Sequence, residues 1–349
     1  MVRDAGHPLG VSLLCPVNSR VFSPSEALSY RNFGLCCCGD GRSRRSKPSK
    51  AQQALSRRQD LRMILSVVII THNEEANIGR TLASVQSLLA DGKGEIILVD
   101  SGSTDQTVEI AKSFGAKVFV EDWKGYAAQK NSAIDKATGD WILSLDADEQ
   151  VGPELAGEVY LAITGRLGAD SIEGDSLDVI EKVMAVEEAH ERSVTTASVG
   201  FWIPRKNFFL GRWIKHGGFW PDPKLRLFRK NAAHFEPRLV HEDATLKDGI
   251  SERLKHAIIH HSYPTLSDYI DHMNRYSSLG AEMAIANGPR GFSLFNIVLR
   301  PLATFVYNYF FRLGFLDGRE GLLLHLYHAT YVSWKYAKAW ELGHKKNPL

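Results

Sequence analysis

Three short apolar runs, each breaking off into a polar and acidic cluster, constrain this chain more than any other feature. Leu65-Ser-Val-Val-Ile-Ile70 gives way to Thr71-His-Asn-Glu-Glu75. Glu95-Ile-Ile-Leu-Val99 runs into Asp100-Ser-Gly-Ser-Thr-Asp105, and Trp141-Ile-Leu-Ser-Leu145 ends in Asp146-Ala-Asp-Glu149. Runs of this length, bounded by turn residues and rich in β-branched and aromatic side chains, are predicted to be buried strands. Between them the period changes. Ile78, Leu82, Val85, Leu88 and Leu89 recur at helical spacing, a helix capped by Ser103 or Thr104 is predicted to reach Phe114, and Ala127 to Ala137 reads as a further helix closed by Gly139. Lys117-Val-Phe-Val120 supplies a short strand between the last two helices. Strands alternating with helices specify a mostly parallel sheet with right-handed crossovers. The polar tails then gather at its carboxyl edge, where open α/β sheets bind ligands.

Two carboxylates at i and i+2, Asp146 and Asp148, cannot be buried without a partner, so they must meet water, a metal or a ligand at that edge. Hard oxygen ligands suit Mg²⁺ or Mn²⁺, and an ion held by one or two carboxylates completes its shell with waters and substrate phosphates. The pair points to a nucleotide-diphosphate site, although a solvated turn at a strand end would have the same pattern. Asp100, ending the second strand, is placed to accept hydrogen bonds from a base or ribose. Gly-x-Gly-x-x-Gly is absent after the first strand and Gly-x-x-x-x-Gly-Lys-Ser/Thr is absent throughout, so neither a dinucleotide-dependent dehydrogenase nor a P-loop NTPase is supported. A net charge of +2 gives no reason to expect nucleic acid as a partner.

With these motifs in order, Leu65 to Val151 resembles the GT-A nucleotide-sugar domain of family 2 glycosyltransferases. The linking run Trp123-Lys-Gly-Tyr-Ala-Ala-Gln-Lys-Asn131 narrows the resemblance to bacterial lipopolysaccharide core glycosyltransferases of the WaaE/KdtX type. The resemblance extends over nearly everything from Met63 onward. It implies an α/β GT-A fold, an inverting transfer from a nucleotide-diphosphate sugar, and a lipid-linked saccharide acceptor at the cytoplasmic face of the bacterial inner membrane. UDP-glucose is the implied donor. By the same resemblance Thr71, Asn73, Glu74 and Asp100 would meet the nucleoside, Lys130 the diphosphate, and Asp146 the ribose, with Mg²⁺ or Mn²⁺ on Asp146 and Asp148. Many family 2 members carry a second acid where this chain has Ser101. Bland readings stay open: Lys130 as a solvated helix charge, Thr71 or Asn73 as a helix cap.

Residues 1–62 mix Pro, Ser, Gly and Arg, hold all four cysteines and end in a basic, Ser-rich tract; they read as a disordered or artefactual extension before Met63. A GT-A domain is expected over 63–250, with an exposed insertion at about 165–192. Phe201 to Pro221 interleaves aromatic rings, Trp220 among them, with Arg, Lys and His, a surface suited to sugar faces and phosphates. An inverting transfer needs a carboxylate to take the acceptor proton. The resemblance places it in Val240-His-Glu-Asp243, with Glu242 ahead of Asp243 and His241 as an orienting or diphosphate-binding group. After Ser251 the chain is expected to be helical, and His256, His260, His261 and His272 show no recognisable metal spacing. Phe292 to Phe315 is rich in aromatic and aliphatic residues but broken by Arg300-Pro301 and Arg312, which suits an amphipathic helix at a membrane surface better than a span. Packing on the domain or on a partner is the competing reading. A sugar nucleotidyltransferase, or a membrane-binding scaffold without turnover, are the rival functions.

Overall fold

The computed structural model describes residues 65–92, 94–164, 198–236, 243–286 and 291–346. The expectations for residues 1–62 and for the insertion, and the roles given to His241 and Glu242, lie outside the described residues.

The three acid-terminated runs form β1 (Leu65–Thr71), β2 (Gly94–Asp100) and β4 (Trp141–Asp146), with the short β3 (Lys117–Val120) between β2 and β4 in the chain. Together they make a parallel block in the order β4-β1-β2-β3. Three further strands extend it into a seven-stranded sheet: β9 (Lys224–Arg229), antiparallel to β4, then β6 (Ser198–Ile203) and β12 (Ile250–Arg253). The crossovers are α1 (Ile78–Val85), α2 (Thr107–Ser113) and α3 (Tyr126–Lys136).

The period-two side-chain alternation of a strand divides the core in two. Leu65, Val67 and Ile69 join Leu143 and Leu145 on one face, against Ile78, Leu82 and Val85 of α1 and Leu155 and Val159 of α4 (Pro153–Ile163). Val68, Ile97, Val99 and Ile142 line the other face with Ala133 and Ile134 of α3. These side chains are essentially fully buried. At about 1.5–3 kcal/mol for each large aliphatic side chain, the two faces are the dominant favourable contribution to folding.

A second sheet stands beside the first. β5 (Glu149–Val151) follows directly on the acids of β4 and pairs with β13 (Ile258–Tyr263), which pairs in turn with β7 (Arg205–Phe209); β8 (Arg212–Trp213) closes the edge. A small hairpin of β10 (Ala233–Phe235) and β11 (Ala244–Leu246) completes the strands. Helical character was expected from residue 251, but residues 250–263 supply β12 and β13 and helix begins only at Leu266. The reason lies in the chain itself: Ile258-Ile-His-His-Ser-Tyr263 is a β-rich run whose partner, Glu149 to Val151, is more than a hundred residues distant.

The C-terminal part consists of α5 (Leu266–Ala286), α6 (Arg300–Val306) with a wider helical turn on either side, and α7 (Gly318–Lys346), which packs along α5. Phe209, Ile214, Tyr269 and Leu324 join the aromatic segment after β7 to α5 and α7. No described helix is long and apolar enough to cross a membrane.

Candidate active site at the carboxyl edge of the sheet

Strand register brings the sequence-predicted residues to one level. Thr71 pairs across to Asp100 on β2, and Ile70 pairs to Asp146 on β4. Neighbouring strands lie about 4.8 Å apart, so the three polar loops leave the sheet side by side. Hydrogen bonds lace the first two together. The backbone N–H of Asn73 donates to Ser103 Oγ at 2.8 Å, Thr104 N–H to Asn73 Oδ1 at 2.8 Å, and Glu74 N–H to Thr107 Oγ1 at 2.7 Å. Asn73 takes a φ of +56°, a left-handed conformation that Asn tolerates better than most residues. The helix expected to be capped by Ser103 or Thr104 starts later, because those groups are committed to this lacing; Asp105 Oδ1 instead accepts from Thr107 N–H at 3.0 Å.

Asp100 is 1% exposed and its carboxylate is fully engaged: Oδ1 accepts from the N–H groups of Gly102 and Ser103, and Oδ2 from the hydroxyls of Thr71 and Ser103. It therefore shapes the β2 loop. Gly102, at φ +83°, makes that turn without steric cost. Outside the loop, Ser101, Gly102, Glu121 and Asp122 line a cavity of about 420 Å³. Where many family 2 members have a second acid, Ser101 Oγ accepts from Gln129 Nε2 at 3.2 Å, and Gln129 Oε1 is buried without a partner.

The Asp-x-Asp pair divides its work. Asp146 is gripped by Lys130 at 2.7 Å and by Arg226, whose guanidinium also reaches the fully buried Glu149 at 2.7 Å. Arg205 extends the chain, 3.2 Å from Glu149 and 2.6 Å from Asp222. Burial opposes ionisation of Asp146, but Arg226 and Lys130 outweigh it and hold the carboxyl well below the usual range. Lys130 is buried under the Phe235 ring, 5.2 Å from its centroid, which removes the reading of a solvated helix charge. Asp148 points elsewhere: its Oδ2 is 3.3 Å from His260 Nε2, and His260 Nδ1 meets Asn207 Oδ1 at 2.7 Å and Ser262 Oγ at 2.8 Å. Burial works against both charges, yet each holds the other ionised: Asp148 lies below the ordinary carboxylate value and His260 above the ordinary imidazole value. Glu74 belongs to the same rim. Its carboxyl is pushed up by burial and, despite a hydrogen bond from Asn77, by the negative charges of Asp148, Asp105 and Asp146.

Two further predicted residues have partners of their own. Asp243 is in an ion pair with Lys224 at 2.7 Å. Trp220 stands edge-on to Trp213, ring centroids 5.2 Å apart, and Lys206 and Lys215 lie over the Trp213 ring. Sequence reasoning passed over His260, Arg226, Arg205 and Glu149. For His260 the sequence carries little signal: Ile258-Ile-His-His-Ser-Tyr263 does not alternate in polarity, so it does not say which of the two adjacent histidines faces the acids.

The family model described as glycosyl transferase family 2 matches residues 66–234, the span that carries all three acid-ended strands. Over that span the chain resembles this family. An uncharacterised glycosyltransferase of Rickettsia typhi is 28% identical over 289 residues, covering 80% of this chain and 88% of its own length. The lipopolysaccharide core biosynthesis glycosyltransferase LpsC of Rhizobium meliloti is 24% identical over 260 residues, covering 73% of this chain and 82% of its own. A solved mannosyltransferase from Pyrobaculum calidifontis, in complex with GDP-Man and Mn²⁺, overlays with a TM-score of 0.42 at 14% identity, covering 79% of this chain and 87% of that one, a likeness that adds nothing to the family assignment. The chain has a GT-A-like α/β fold: a mostly parallel sheet with the acids at its carboxyl edge and helices on both faces.

Proposed function

We propose that this glycosyltransferase transfers a hexose, with inversion, from a nucleotide-diphosphate sugar to a lipid-anchored saccharide such as the lipopolysaccharide inner core, at the cytoplasmic face of the bacterial inner membrane. UDP-glucose is the donor to test first. The observation that carries the reading is the meeting of Asp148 with His260 beside the Lys130–Asp146 pair, on the rim shared with the laced Thr71 and Asp100 loops. In this reading the nucleoside lies against the cavity of Ser101 and Gly102, and Lys130 is the cation nearest the diphosphate.

The donor set suits Mg²⁺ or Mn²⁺. Among the described residues no group of three or more His, Cys, Asp or Glu side chains is placed to hold an ion. Asp146 is engaged by two cations, so the metal role given to it in the sequence passes to Asp148, the remaining positions falling to diphosphate oxygens and water; His260 could join only after giving up the Nε2 proton that now faces Asp148. Bound there, the ion would supply positive charge to a departing diphosphate. The acceptor hydroxyl needs a base, and Glu242 or Asp243 is assigned that part; Asp243 would first have to exchange its Lys224 contact for the hydroxyl.

The lipid-anchored acceptor has physical support in the C-terminal part. Phe292, Phe295, Leu302, Phe310, Phe311 and Leu316 are all exposed, Phe311 at 75%. So large an apolar surface marks an interaction site, and its Arg and aromatic content suits a membrane interface. Asp317 accepts from the backbone N–H groups of Lys215 and His216 at 3.2 and 2.8 Å, which fixes the aromatic segment against this face. A saccharide whose lipid rests on the exposed face would then meet the Trp213 and Trp220 rings.

The test is turnover with a panel of sugar nucleotides in the presence of lipid-linked saccharide. Release of nucleoside diphosphate that stops with EDTA and returns with Mn²⁺ is expected. Release of pyrophosphate would assign the site to nucleotidyl transfer instead, and full activity after metal stripping would remove the metal.

A further inference from the structure

Beside the donor rim lies a second cavity of about 320 Å³, lined by Asn77, Arg80, Phe208, Leu210, His261 and Tyr263, which no step above uses. Its position follows from strand register. Glu149, His260 and Asn207 pair across β5, β13 and β7, so they share one face of the second sheet, the face that meets Asp148. Gln150, Phe208 and His261 are their neighbours one residue along and face the other way. With Asp148 within electrostatic reach of its lining residues His261 and Tyr263, the cavity opens on the face of β13 away from the His260 side chain. It stays in touch with the rim in two places: His261 N–H donates to the Asp148 carbonyl at 3.1 Å, and a hydrogen-bond chain runs from Arg80 Nη2 to Asn77 Oδ1 and from Asn77 Nδ2 to Glu74 Oε2, at 2.8 and 2.9 Å.

Its lining has the character of a saccharide site with one charged corner. Phe208 and His261 stack with centroids 5.6 Å apart, and Leu210 and Tyr263 add apolar and aromatic wall. A volume of this order accepts a small ligand such as one sugar unit. The charged corner is Arg80. Among the described residues it has no carboxylate partner, its single hydrogen bond goes to a neutral amide, and its Nε is buried with nothing to donate to. A partly buried guanidinium with spare donors is costly unless an anion meets it, and its fork matches carboxylate and phosphate oxygens.

We propose that this cavity is an acceptor subsite for a saccharide bearing a carboxylate or phosphate group, which Arg80 recognises while His261 and Phe208 contact the sugar ring. The inference rests on the glycosyltransferase reading above and adds to it the charge of the acceptor. A donor phosphate is the less suitable occupant, since Lys130, the cation nearest the donor, is held by Asp146 and the Phe235 ring and does not line this cavity.

Glucuronate and glucose 6-phosphate serve as anionic probes, methyl glucoside as the neutral one and UDP with Mn²⁺ as the donor probe, each titrated into the full-length protein with the His261 ring signal followed by NMR. Both anions are expected to shift that signal and to bind at least about tenfold more tightly than methyl glucoside, as a charge-assisted contact warrants. Arg80→Gln is expected to abolish that preference, and Arg80→Lys to keep part of it, with melting temperature unchanged in both and UDP affinity nearly so. Equal binding of neutral and anionic sugars, or an anion preference that survives in Arg80→Gln, would overturn the proposal. Loss of UDP binding in Arg80→Gln would hand the cavity to the donor and also overturn it. Failure of UDP to bind the wild-type protein would instead refute the donor reading on which it rests.

Discussion

Replacing Arg226 by Met should be among the most damaging single changes available in this fold. Arg226 is 4% exposed and holds two carboxylates, Asp146 and the completely buried Glu149. Methionine fills most of the same space, so packing changes little; what changes is that Glu149 keeps only Arg205, at 3.2 Å, and Asp146 only Lys130. Breaking a buried ion pair by removing one partner costs about 3–5 kcal/mol. For a body of this size that corresponds to a fall in Tm of roughly 5–8 °C. The pH dependence follows from Asp146. Its folded pKa is depressed, so the stability it contributes is complete above its unfolded value, near 3.9, and is lost as pH falls toward the lower folded value. The gap between wild type and Arg226→Met should accordingly be widest near neutral pH and narrow below about pH 4. Adding Glu149→Gln removes the stranded charge and should restore part of the loss, a coupling that a double-mutant cycle measures. Thermal melts followed by near-ultraviolet circular dichroism at pH 7 and at about pH 3 suffice. A drop of only a degree or two at pH 7, or a gap that grows on acidification, would refute the reasoning.

Other changes separate the remaining parts. Asp148→Asn keeps the size of the side chain but removes the charge that meets His260, and should lower turnover at least about a hundredfold with little change in Tm, read by nucleoside-diphosphate release; near-normal turnover would place the chemistry elsewhere. Phe311→Glu together with Leu302→Glu puts charge into the exposed apolar face and should release the protein from anionic phospholipid vesicles by well over tenfold in a sedimentation assay. Transfer to a water-soluble acceptor should be largely kept in that variant, because both side chains point to solvent and neither belongs to the donor rim; vesicle binding that persists would make the face a protein contact.

The fold was legible wherever local pattern and tertiary demand agreed. β1, β2 and β4 are fully buried strands whose apolar runs can be read directly, and α1 shows its buried stripe of Ile78, Leu82 and Val85 in its spacing. Partnership across long sequence separation was not legible. β13 is a strand because β5 and β7 offer it edges, and Ile258 to Tyr263 carries no mark of either. The same limit hid His260: its pairing with Asp148 spans over a hundred residues, while its immediate neighbours resemble core. Arg226 lies in a strand-like run, Leu225-Arg-Leu-Phe-Arg229, whose arginines would ordinarily face water; the acids at the end of β4 are what draw it inward. Ser103 and Thr104 looked like helix caps because capping needs only local geometry, whereas both are tied to Asn73 in the loop after β1, some thirty residues back in the chain.

The central claim is that loops from separate strands form one donor site. Backbone hydrogen exchange, measured with and without UDP and Mn²⁺, tests it directly. Slowed exchange appearing together in peptides covering residues 71–77, 100–107 and 146–149, at the same ligand concentration, is the predicted result. Slowing confined to one of the three, or lying wholly outside them, would contradict the account.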